Sequence, residues 1–244
     1  MPDNIIKVNH NCWIIANDNI QGIVDSEWFS DKYWLNQGRL LGTSSGRGSA
    51  WMVKSSDKKM MLRHYYRGGI PARFIKDKYF WSGLKNTRSF SEYKLLEKMI
   101  GLNLPVPQPI AAQACKKGLF YQANILIEYI PHISTFAGFL SNDADEQIWK
   151  KVGSTIALFH KQGINHADLN AHNILVTNDR IYLIDFDHSR QMNPRKMWQK
   201  TNMSRLKRSI DKLTNNNHNN EISIDSINTK WQLLMHAYGK QLSE

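Results

Sequence analysis

The sequence is poor in cysteine and in acidic residues, and it has no long uninterrupted apolar segment. With only Cys12 and Cys115 in 244 residues, a disulfide framework is excluded as the source of stability, and a reducing compartment is expected. The first residues lack the basic start and apolar run of a secretory signal. The uncharged segment 99–115 is interrupted by three prolines, and no run of about 20 apolar residues could span a bilayer. We therefore expect a cytosolic or peripheral protein.

The shortage of acids leaves a large positive charge. The 21 Asp and Glu face 32 Lys and Arg, which gives a formal net charge of +11. Such an excess predicts an anionic partner, which could be nucleic acid, nucleotide phosphates or an acidic membrane surface. Hydrophobic residues make up 41% of the chain, which excludes a disordered tail and suffices for one substantial core or two small ones. Charge alone does not choose among these partners.

Strand patterns and helix patterns occupy different parts of the chain. Between residues 40 and 130, four segments have strand character and are predicted to form two pairs: 49–54 with 59–66, and 118–123 with 125–130; a short hairpin is predicted later, with strands over 174–176 and 181–184. Apolar residues at helical spacing predict helices over residues 25–36, 89–100, 143–163, 195–213 and 223–242. Strands therefore dominate residues 40–130 and helices dominate afterwards. This division predicts two lobes, 1–131 and 132–244, that meet near residues 129–132.

The clearest chemical signal is the segment His166–Asn173 followed by Asp185. Asp168 and Asn173 are five residues apart on one loop, so both can face the same cleft. An Asp there can orient a substrate hydroxyl and accept its proton, and the Asn amide oxygen can bind Mg²⁺. Asp185 follows twelve residues later, after a short predicted hairpin, where it can hold the same ion against phosphates. Either motif alone is explained by turns, but both in this order favour phosphoryl transfer.

These two segments resemble the H-R-D-L-x-x-x-N and D-F-G loops of the protein-kinase-like superfamily, with Ala167 replacing the Arg and Asp187 replacing the Gly. The missing Arg and the absence of a downstream A-P-E segment argue against regulation by a phosphorylated activation loop. The resemblance implies an α+β, bilobal protein-kinase-like fold, with an antiparallel-sheet N-lobe and a reduced, mainly helical C-lobe. It also implies ATP and Mg²⁺ as cofactors, Asp168 as the catalytic residue, and Asn173 and Asp185 as metal ligands.

The same resemblance assigns nucleotide contacts upstream. Gly46 and Gly48 belong to a glycine-rich segment that would close over the ATP phosphates, although Trp51 stands at its third glycine position. Arg63 takes the position of the usual phosphate-binding lysine. Glu92 would orient Arg63; its alternative role is a capping box with Ser89, and Glu97 is the alternative carboxylate. The hinge that meets the adenine would contain Glu128 and Ile130.

A narrower resemblance, over about residues 40–190, points to the 3-deoxy-D-manno-octulosonic acid (Kdo) kinases. It is carried by the runs LRHYYRGG (62–69), RSFSE (88–92) and LPVPQP (104–109), together with the loops described above. It implies ATP-dependent phosphorylation of a hydroxyl, the 4-OH, of a Kdo sugar on a lipid A precursor. The partners would then be an acidic glycolipid and the anionic inner leaflet, with the protein peripheral at the cytoplasmic face of the bacterial inner membrane.

Two basic clusters match these partners. The first lies between residues 63 and 88 and follows the predicted nucleotide strand, so His64, Arg67 and Arg73 are candidate substrate contacts. The second, residues 190–212, contains eight Lys and Arg against one acid, with apolar residues at near-helical spacing. That helix would either contact the lipid substrate or pack on the C-lobe.

Three other functions are left open by the sequence. A kinase of the same fold could act on another lipopolysaccharide sugar or on a small aminosugar. A catalytically dead pseudokinase could bind a partner, although Asp168, Asn173 and Asp185 are all present. A nucleic-acid-binding protein is the third, but the sequence has no zinc spacing, recognition helix or aromatic sheet motif, so no nucleic acid is expected.

Overall fold

The computed structural model describes residues 4–20, 22–43, 50–66, 77–140, 145–216 and 224–244. The chain divides into two compact units. The first consists of Met1–Glu97 and Pro107–Ile130, and the second of Lys98–Val106 and Pro131–Glu244. Antiparallel strands prevail in the first unit and helices in the second, which confirms the predicted α+β class.

An eight-stranded antiparallel sheet forms most of the first unit. Its strands are β1 (Ile5–Asn9), β2 (Cys12–Ala16), β3 (Leu40–Thr43), β4 (Ala50–Ser55), β5 (Lys58–His64), β6 (Tyr79–Phe80), β7 (Pro109–Lys117) and β8 (Phe120–Glu128). The order is β1-β2-β7-β8-β5-β4-β3, with β6 paired to β8. Burial alternates along β5, where Met60 and Leu62 point into the core and the residues between them do not. A shift of one residue would expose Met60 and Leu62, so the alternation of buried and exposed side chains fixes the register of β5.

The prediction of two paired strands over residues 118–130 is wrong. The segment contains one strand, β8, whose main partner is β7, and β7 begins at Pro109, within the predicted extended connector. Asn124 interrupts the apolar pattern in the middle of β8, but its side chain bonds Gln113 on β7 and His64 on β5. A polar side chain that is hydrogen-bonded to both neighbouring strands can remain in the middle of a strand.

The two cysteines also differ from expectation. Cys12 on β2 lies directly opposite Cys115 on β7, and the two are joined by a disulfide. A single cross-strand bridge is not a disulfide framework, but it replaces the two reduced thiols that a reducing compartment would favour.

The predicted helix over residues 25–36 is broken in two. A 3₁₀ turn covers Ser26–Phe29, and helix α1 covers Asp31–Asn36. Ser30 between them is extended, with φ of −110° and ψ of 125°. Trp34 is buried in the core of the unit, where it packs edge-on against Trp28. Helix α2, Arg88–Gly101, matches its prediction closely and buries Phe90, Tyr93, Leu96 and Met99.

Helices build the second unit, together with short strands. The helices are α3 (Phe136–Phe139), α4 (Glu146–Lys161), α5 (Lys196–Asn216) and α6 (Ile224–Ser243). The strands are β9 (Ser134–Thr135), β10 (Ile164–Asn165), β11 (Ile174–Val176), β12 (Ile181–Leu183) and β13 (Arg190–Gln191). β11 lies between β9 and β12, and β10 pairs with β13. None of the helices in the described parts of the chain combines the length and hydropathy of a membrane-spanning segment.

Gly153 allows α4 and α6 to pack closely. A Cβ at this position would lie 2.2 Å from the backbone oxygen of Leu234 on α6. Around this contact α4 buries Trp149, Val152 and Ile156, and α6 buries Leu234. The close approach therefore depends on the absence of a side chain in the middle of α4.

Candidate active site

In the first unit, Arg63, Tyr65 and Glu92 form a polar cluster. Strand β5 carries Arg63, and α2 carries Glu92, which is only 3% exposed. Arg63 Nη2 donates to Glu92 Oε2, and Tyr65 Oη donates to the same oxygen at 2.6 Å. The Arg63 guanidinium also lies 4.9 Å from the centre of the Tyr65 ring. A buried carboxylate is stable here because it has both a cation and a hydroxyl donor.

Tyr65 was not singled out by the sequence analysis. Burial, followed by the nearby charge of Glu92, raises the pKa of Tyr65 well above its ordinary value, so the hydroxyl stays protonated and keeps donating. A sequence signal did exist, because side chains two residues apart in an extended segment point to the same face, and Tyr65 follows Arg63 by two.

Glu92, and not Glu97, makes the contact with Arg63. Glu97 bonds Lys94 Nζ at 2.8 Å on a more exposed face of α2. Ser89 Oγ donates to the backbone oxygen of Gln113 at 2.9 Å, so Ser89 and Glu92 serve different partners and do not form a capping box. The function of the Arg63–Glu92 pair stays a prediction.

Most of the other predicted site residues of this unit lie in segments that the structure does not describe. Gly46, Gly48, Arg67 and Arg73 lie outside the described residues. His64, the remaining candidate substrate contact, already has protein partners at both ring nitrogens: Asn124 Oδ1 lies 2.6 Å from Nδ1, and Asp77 Oδ2 lies 3.4 Å from Nε2.

Of the two predicted hinge residues, Glu128 ends strand β8 and Ile130 follows it. The backbone N–H of Glu128 donates to the oxygen of Gln108 at 2.9 Å, so this N–H is already used within the sheet. Ile130 is buried, at 9% exposure. Both residues remain predicted, not demonstrated, adenine contacts.

In the second unit, the catalytic loop (residues 166–173) holds Asp168 with its side chain 59% exposed. Asn173 Nδ2 donates to the Asp168 backbone oxygen at 3.0 Å. Asn170 Nδ2 donates to the carboxylate itself, at 3.1 Å from Oδ2. The backbone of Asp168 is therefore fixed by the residue five positions later, while its carboxylate remains open to solvent.

His166 ties the catalytic loop to the segment that carries Asp185. His166 Nε2 donates to the Ile184 oxygen at 3.0 Å, and Nδ1 accepts from the backbone N–H of Asp168 at 3.2 Å. These partners assign the neutral tautomer with the proton on Nε2. Burial lowers the pKa of His166, which agrees with an uncharged ring. The Ile184 N–H donates to the Asn173 oxygen at 3.0 Å, so Asn173 and Asp185 are held on adjacent backbone segments.

Asp185 has a left-handed backbone, with φ of +63°. Non-glycine residues seldom adopt this conformation, and it is maintained where surrounding contacts fix it, often at functional sites. Phe186 provides such a contact: it is 1% exposed and packs on the His166 ring at a centroid distance of 4.7 Å.

The donor set fits Mg²⁺ supported by phosphates. The amide nitrogen of Asn173 is used by Asp168, which leaves the amide oxygen as its candidate ligand atom, and Asp185 adds a carboxylate. Mg²⁺ commonly binds one or two such side chains together with substrate phosphates. Among the described residues, no group of three or more His, Cys, Asp or Glu could hold a metal without that help.

Helix α5, for which the sequence predicts either packing on the C-lobe or contact with the lipid substrate, packs on the catalytic loop. Asn202 Oδ1 accepts from the His166 N–H at 3.1 Å, and Ser209 Oγ accepts from the Ala171 N–H at 3.2 Å. Arg205 lies between them and reaches Asp168. None of these three roles was predicted from the sequence, although spacings of three and four residues place side chains on one helix face.

The model of the lipopolysaccharide kinase (Kdo/WaaP) family matches residues 31–238. The chain belongs to this family. It therefore has a phosphotransferase activity, for which the kinase family implies ATP as the phosphoryl donor.

Relatives within the family support the assignment over most of the chain. A protein from Vibrio parahaemolyticus named 3-deoxy-D-manno-octulosonic acid kinase is 40% identical over 200 residues, which cover 81% of this chain and 82% of that one. A protein of the same name from Xylella fastidiosa strain M12 is 40% identical over 206 residues, covering 84% and 81%. The expected relationship to Kdo kinases is confirmed.

The fold is shared with a solved structure, described as WaaP in complex with acyl carrier protein. The two chains match with a TM-score of 0.57 over 93% of this chain and 88% of the other, at 10% identity. An identity this low shows the fold alone. The predicted protein-kinase-like fold is thereby confirmed.

Proposed function

We propose that the protein transfers the γ-phosphate of ATP to a hydroxyl, the 4-OH, of a Kdo sugar on a lipid A precursor. The observation that carries the reaction type is the link between Asp168 and Asn173, with Asp185 held on the adjacent segment. The choice of acceptor is supported by the names of relatives that share about two residues in five over most of the chain.

Asp168 binds and orients the acceptor hydroxyl. A sugar hydroxyl has a pKa far above that of a carboxyl group, so early removal of its proton is unfavourable. Positioning then supplies most of the rate, as expected for a loose phosphoryl transition state. The exposed carboxylate suits this task because a hydroxyl can approach it from solvent, and the backbone that carries it is held by His166 and Asn173.

Asn173 and Asp185 would hold Mg²⁺, which neutralises charge on the phosphates when it is bound. Arg63, fixed by Glu92 and Tyr65, would bind the ATP phosphates, because a guanidinium pairs with phosphate and carboxylate at once. Gly46 and Gly48 would bring backbone N–H groups to the same phosphates, with Glu128 and Ile130 at the adenine.

The test is mass spectrometry of a Kdo-bearing lipid A precursor after incubation with the protein, ATP and Mg²⁺. We expect a gain of one phosphate on the Kdo sugar, at the 4-OH. The same reaction with Asp168→Asn is the control for a contaminating kinase. A panel of other lipopolysaccharide sugars and aminosugars tests the competing acceptors, and phosphate on one of those but not on Kdo would refute the proposal.

We also propose that the outward face of α5 lies on the anionic inner leaflet, at the cytoplasmic side of the inner membrane. The inner face of this helix is occupied by the catalytic loop. The outward side exposes Lys200 and Arg208, together with Met197 at 76% exposure. Basic and apolar groups on one exposed helix face favour an acidic lipid surface. This arrangement would bring a glycolipid acceptor close to Asp168.

A further inference from the structure

Helix α5 lies along the catalytic loop through three side chains on one face. Asn202 holds the start of the loop at the His166 N–H, and Ser209 holds its end at the Ala171 N–H. Arg205 is three residues after Asn202 and four before Ser209, so it faces the middle of the loop. Leu206 and Ile210, both fully buried, anchor the same stretch of helix. The backbone of Arg205 is thus fixed relative to Asp168.

Arg205 Nη1 lies 3.5 Å from Asp168 Oδ1, while Asn170 bonds the other carboxylate oxygen. The side chains of Arg205 and Asp168 are 43% and 59% exposed. Ion pairs this exposed contribute little to stability, so the fold gains little from the pair. The large exposed fraction also means that the guanidinium can bind a group from solvent with its remaining N–H donors.

The catalytic loop carries no permanent positive charge of its own. Ala167 precedes Asp168, and His166 is neutral because it is buried between two backbone partners. Yet negative charge is spread over the phosphoryl oxygens during transfer, beside the hydroxyl that Asp168 orients. A guanidinium there is always charged and can donate to two of these oxygens at once.

We propose that Arg205 supplies from α5 the positive charge that the catalytic loop lacks, and that it binds the phosphoryl group while this group passes to the acceptor. The inference rests on the proposed phosphoryl transfer at Asp168, and it does not depend on which sugar is the acceptor. A hydroxyl about 3 Å from the carboxylate places the phosphorus roughly another 3 Å away, within reach of an arginine that already contacts that carboxylate.

In the step itself, the acceptor oxygen forms a bond to the γ-phosphorus as the bond to the bridging oxygen breaks. The electron pair of the broken bond stays on ADP, and the hydroxyl proton passes to Asp168. Arg205 acts throughout only as a hydrogen-bond donor to the equatorial oxygens. Its contact with Asp168 is replaced in part by the contact with the phosphoryl group.

The test uses ADP, Mg²⁺ and aluminium fluoride, which together imitate the phosphoryl group in transfer and need no sugar. We expect the wild-type protein to bind ADP more tightly when aluminium fluoride is present. Arg205→Gln should reduce this gain at least about 10-fold while leaving the affinity for ADP alone unchanged, and Arg205→Lys should retain part of it. Arg180→Gln is the matched control, because Arg180 is exposed in the turn between β11 and β12, at the end of that hairpin away from Asn173.

Turnover should fall about 10²-fold in Arg205→Gln with little change in the KM for ATP, as expected for a group that acts mainly in the transition state. The proposal is overturned if Arg205→Gln keeps the wild-type gain, or if the wild-type protein shows none. It is also overturned if ADP binding and thermal stability fall together in both Arg205 variants, because that outcome indicates a structural role. Failure of Kdo phosphorylation would instead refute the acceptor assignment and leave the fluoride result valid.

Discussion

Asp168 is in contact with four side chains, each from a different position on the catalytic loop or α5. His166 binds its backbone N–H and Asn173 its backbone oxygen, while Arg205 and Asn170 reach the two carboxylate oxygens. The exposed carboxylate contributes little to folding, so its removal should separate activity from stability.

At the residue scale, we expect Asp168→Asn to lower turnover by at least about 10²-fold, because the amide orients a hydroxyl poorly and cannot accept its proton. The unfolding free energy should change by less than about 0.5 kcal/mol. Asp179→Asn, in the exposed turn after β11, is the control for loss of one carboxylate on the same unit. Near wild-type turnover in a folded Asp168→Asn protein would remove Asp168 from the mechanism.

Asp185→Asn should raise the Mg²⁺ concentration needed for half-maximal rate at fixed ATP. The substitution removes one anionic ligand, yet Asn tolerates the left-handed backbone that Asp185 adopts, with φ of +63°. The backbone that His166 and Asn173 hold at Ile184 should therefore persist. Titration of Mg²⁺ is the measurement, and an unchanged midpoint would exclude Asp185 from the metal site.

The sequence points to single site residues where a motif names them, and not where the partner comes from elsewhere in the chain. Asp168, Asn173 and Asp185 stand in a fixed order within twenty residues, so the pattern itself points to them. Arg205 lies 37 residues beyond Asp168, and only the packing of α5 on the catalytic loop brings the two together. Glu92 could be chosen over Glu97 because it shares the inward stripe of α2.

At the element scale, alanine substitution of two helical glycines should have opposite effects on stability, because a new Cβ meets the facing helix at only one of them. Gly153→Ala should destabilise the protein by about 1–3 kcal/mol, since the new Cβ would lie 2.2 Å from the Leu234 oxygen and the helices must separate. Gly239→Ala, on α6, meets nothing within 4 Å and should stabilise it by up to about 1 kcal/mol. Urea denaturation measures both, and the packing argument fails if both variants gain stability.

Helices were predicted better than strands because helical spacing is a local property. The ends of α2 lie within one residue of the prediction, whereas residues 118–130 were assigned two strands and form one. Whether Asn124 ends a strand depends on Gln113 and His64, which are distant in sequence. The break of the first predicted helix at Ser30 is similarly invisible in the apolar pattern.

At the scale of the whole molecule, stability should fall in mild acid. Burial lowers the pKa of His160 from 6.5 to about 4, and its ring bonds Tyr238 and Asn202. The unfolded chain therefore takes up a proton at higher pH than the folded chain does. The stability that results is present above about pH 6.5 and is lost as the pH falls to about 4, in total about 3 kcal/mol. His166, whose pKa is also lowered by burial, acts in the same direction.

Urea denaturation at pH 7.5 and pH 5 should show this loss, of which His160 supplies about 2 kcal/mol at pH 5. His160→Gln should reduce the difference between the two pH values, because an amide can keep a hydrogen bond to Tyr238 without titrating. His10→Gln, in the exposed turn after β1, controls for loss of an imidazole. An equally steep pH dependence in His160→Gln would show that other groups cause it.

Binding to an anionic membrane can depend on the outward face of α5 or only on the net charge of +11. Charge reversal at two different places on the protein separates these two causes. If α5 is the docking face, Lys200→Glu with Arg208→Glu should weaken binding to phosphatidylserine-containing vesicles at least about 10-fold, at roughly 1 kcal/mol per basic residue at the surface. Lys117→Glu with Lys161→Glu, both exposed elsewhere, is the control. Each pair lowers the net charge from +11 to +7, since replacing one Lys or Arg by Glu changes the charge by two units. Sedimentation with vesicles at two salt concentrations measures the effect, which added salt should reduce. Equal losses in the two double variants would mean that net charge, and not the face of α5, determines membrane binding.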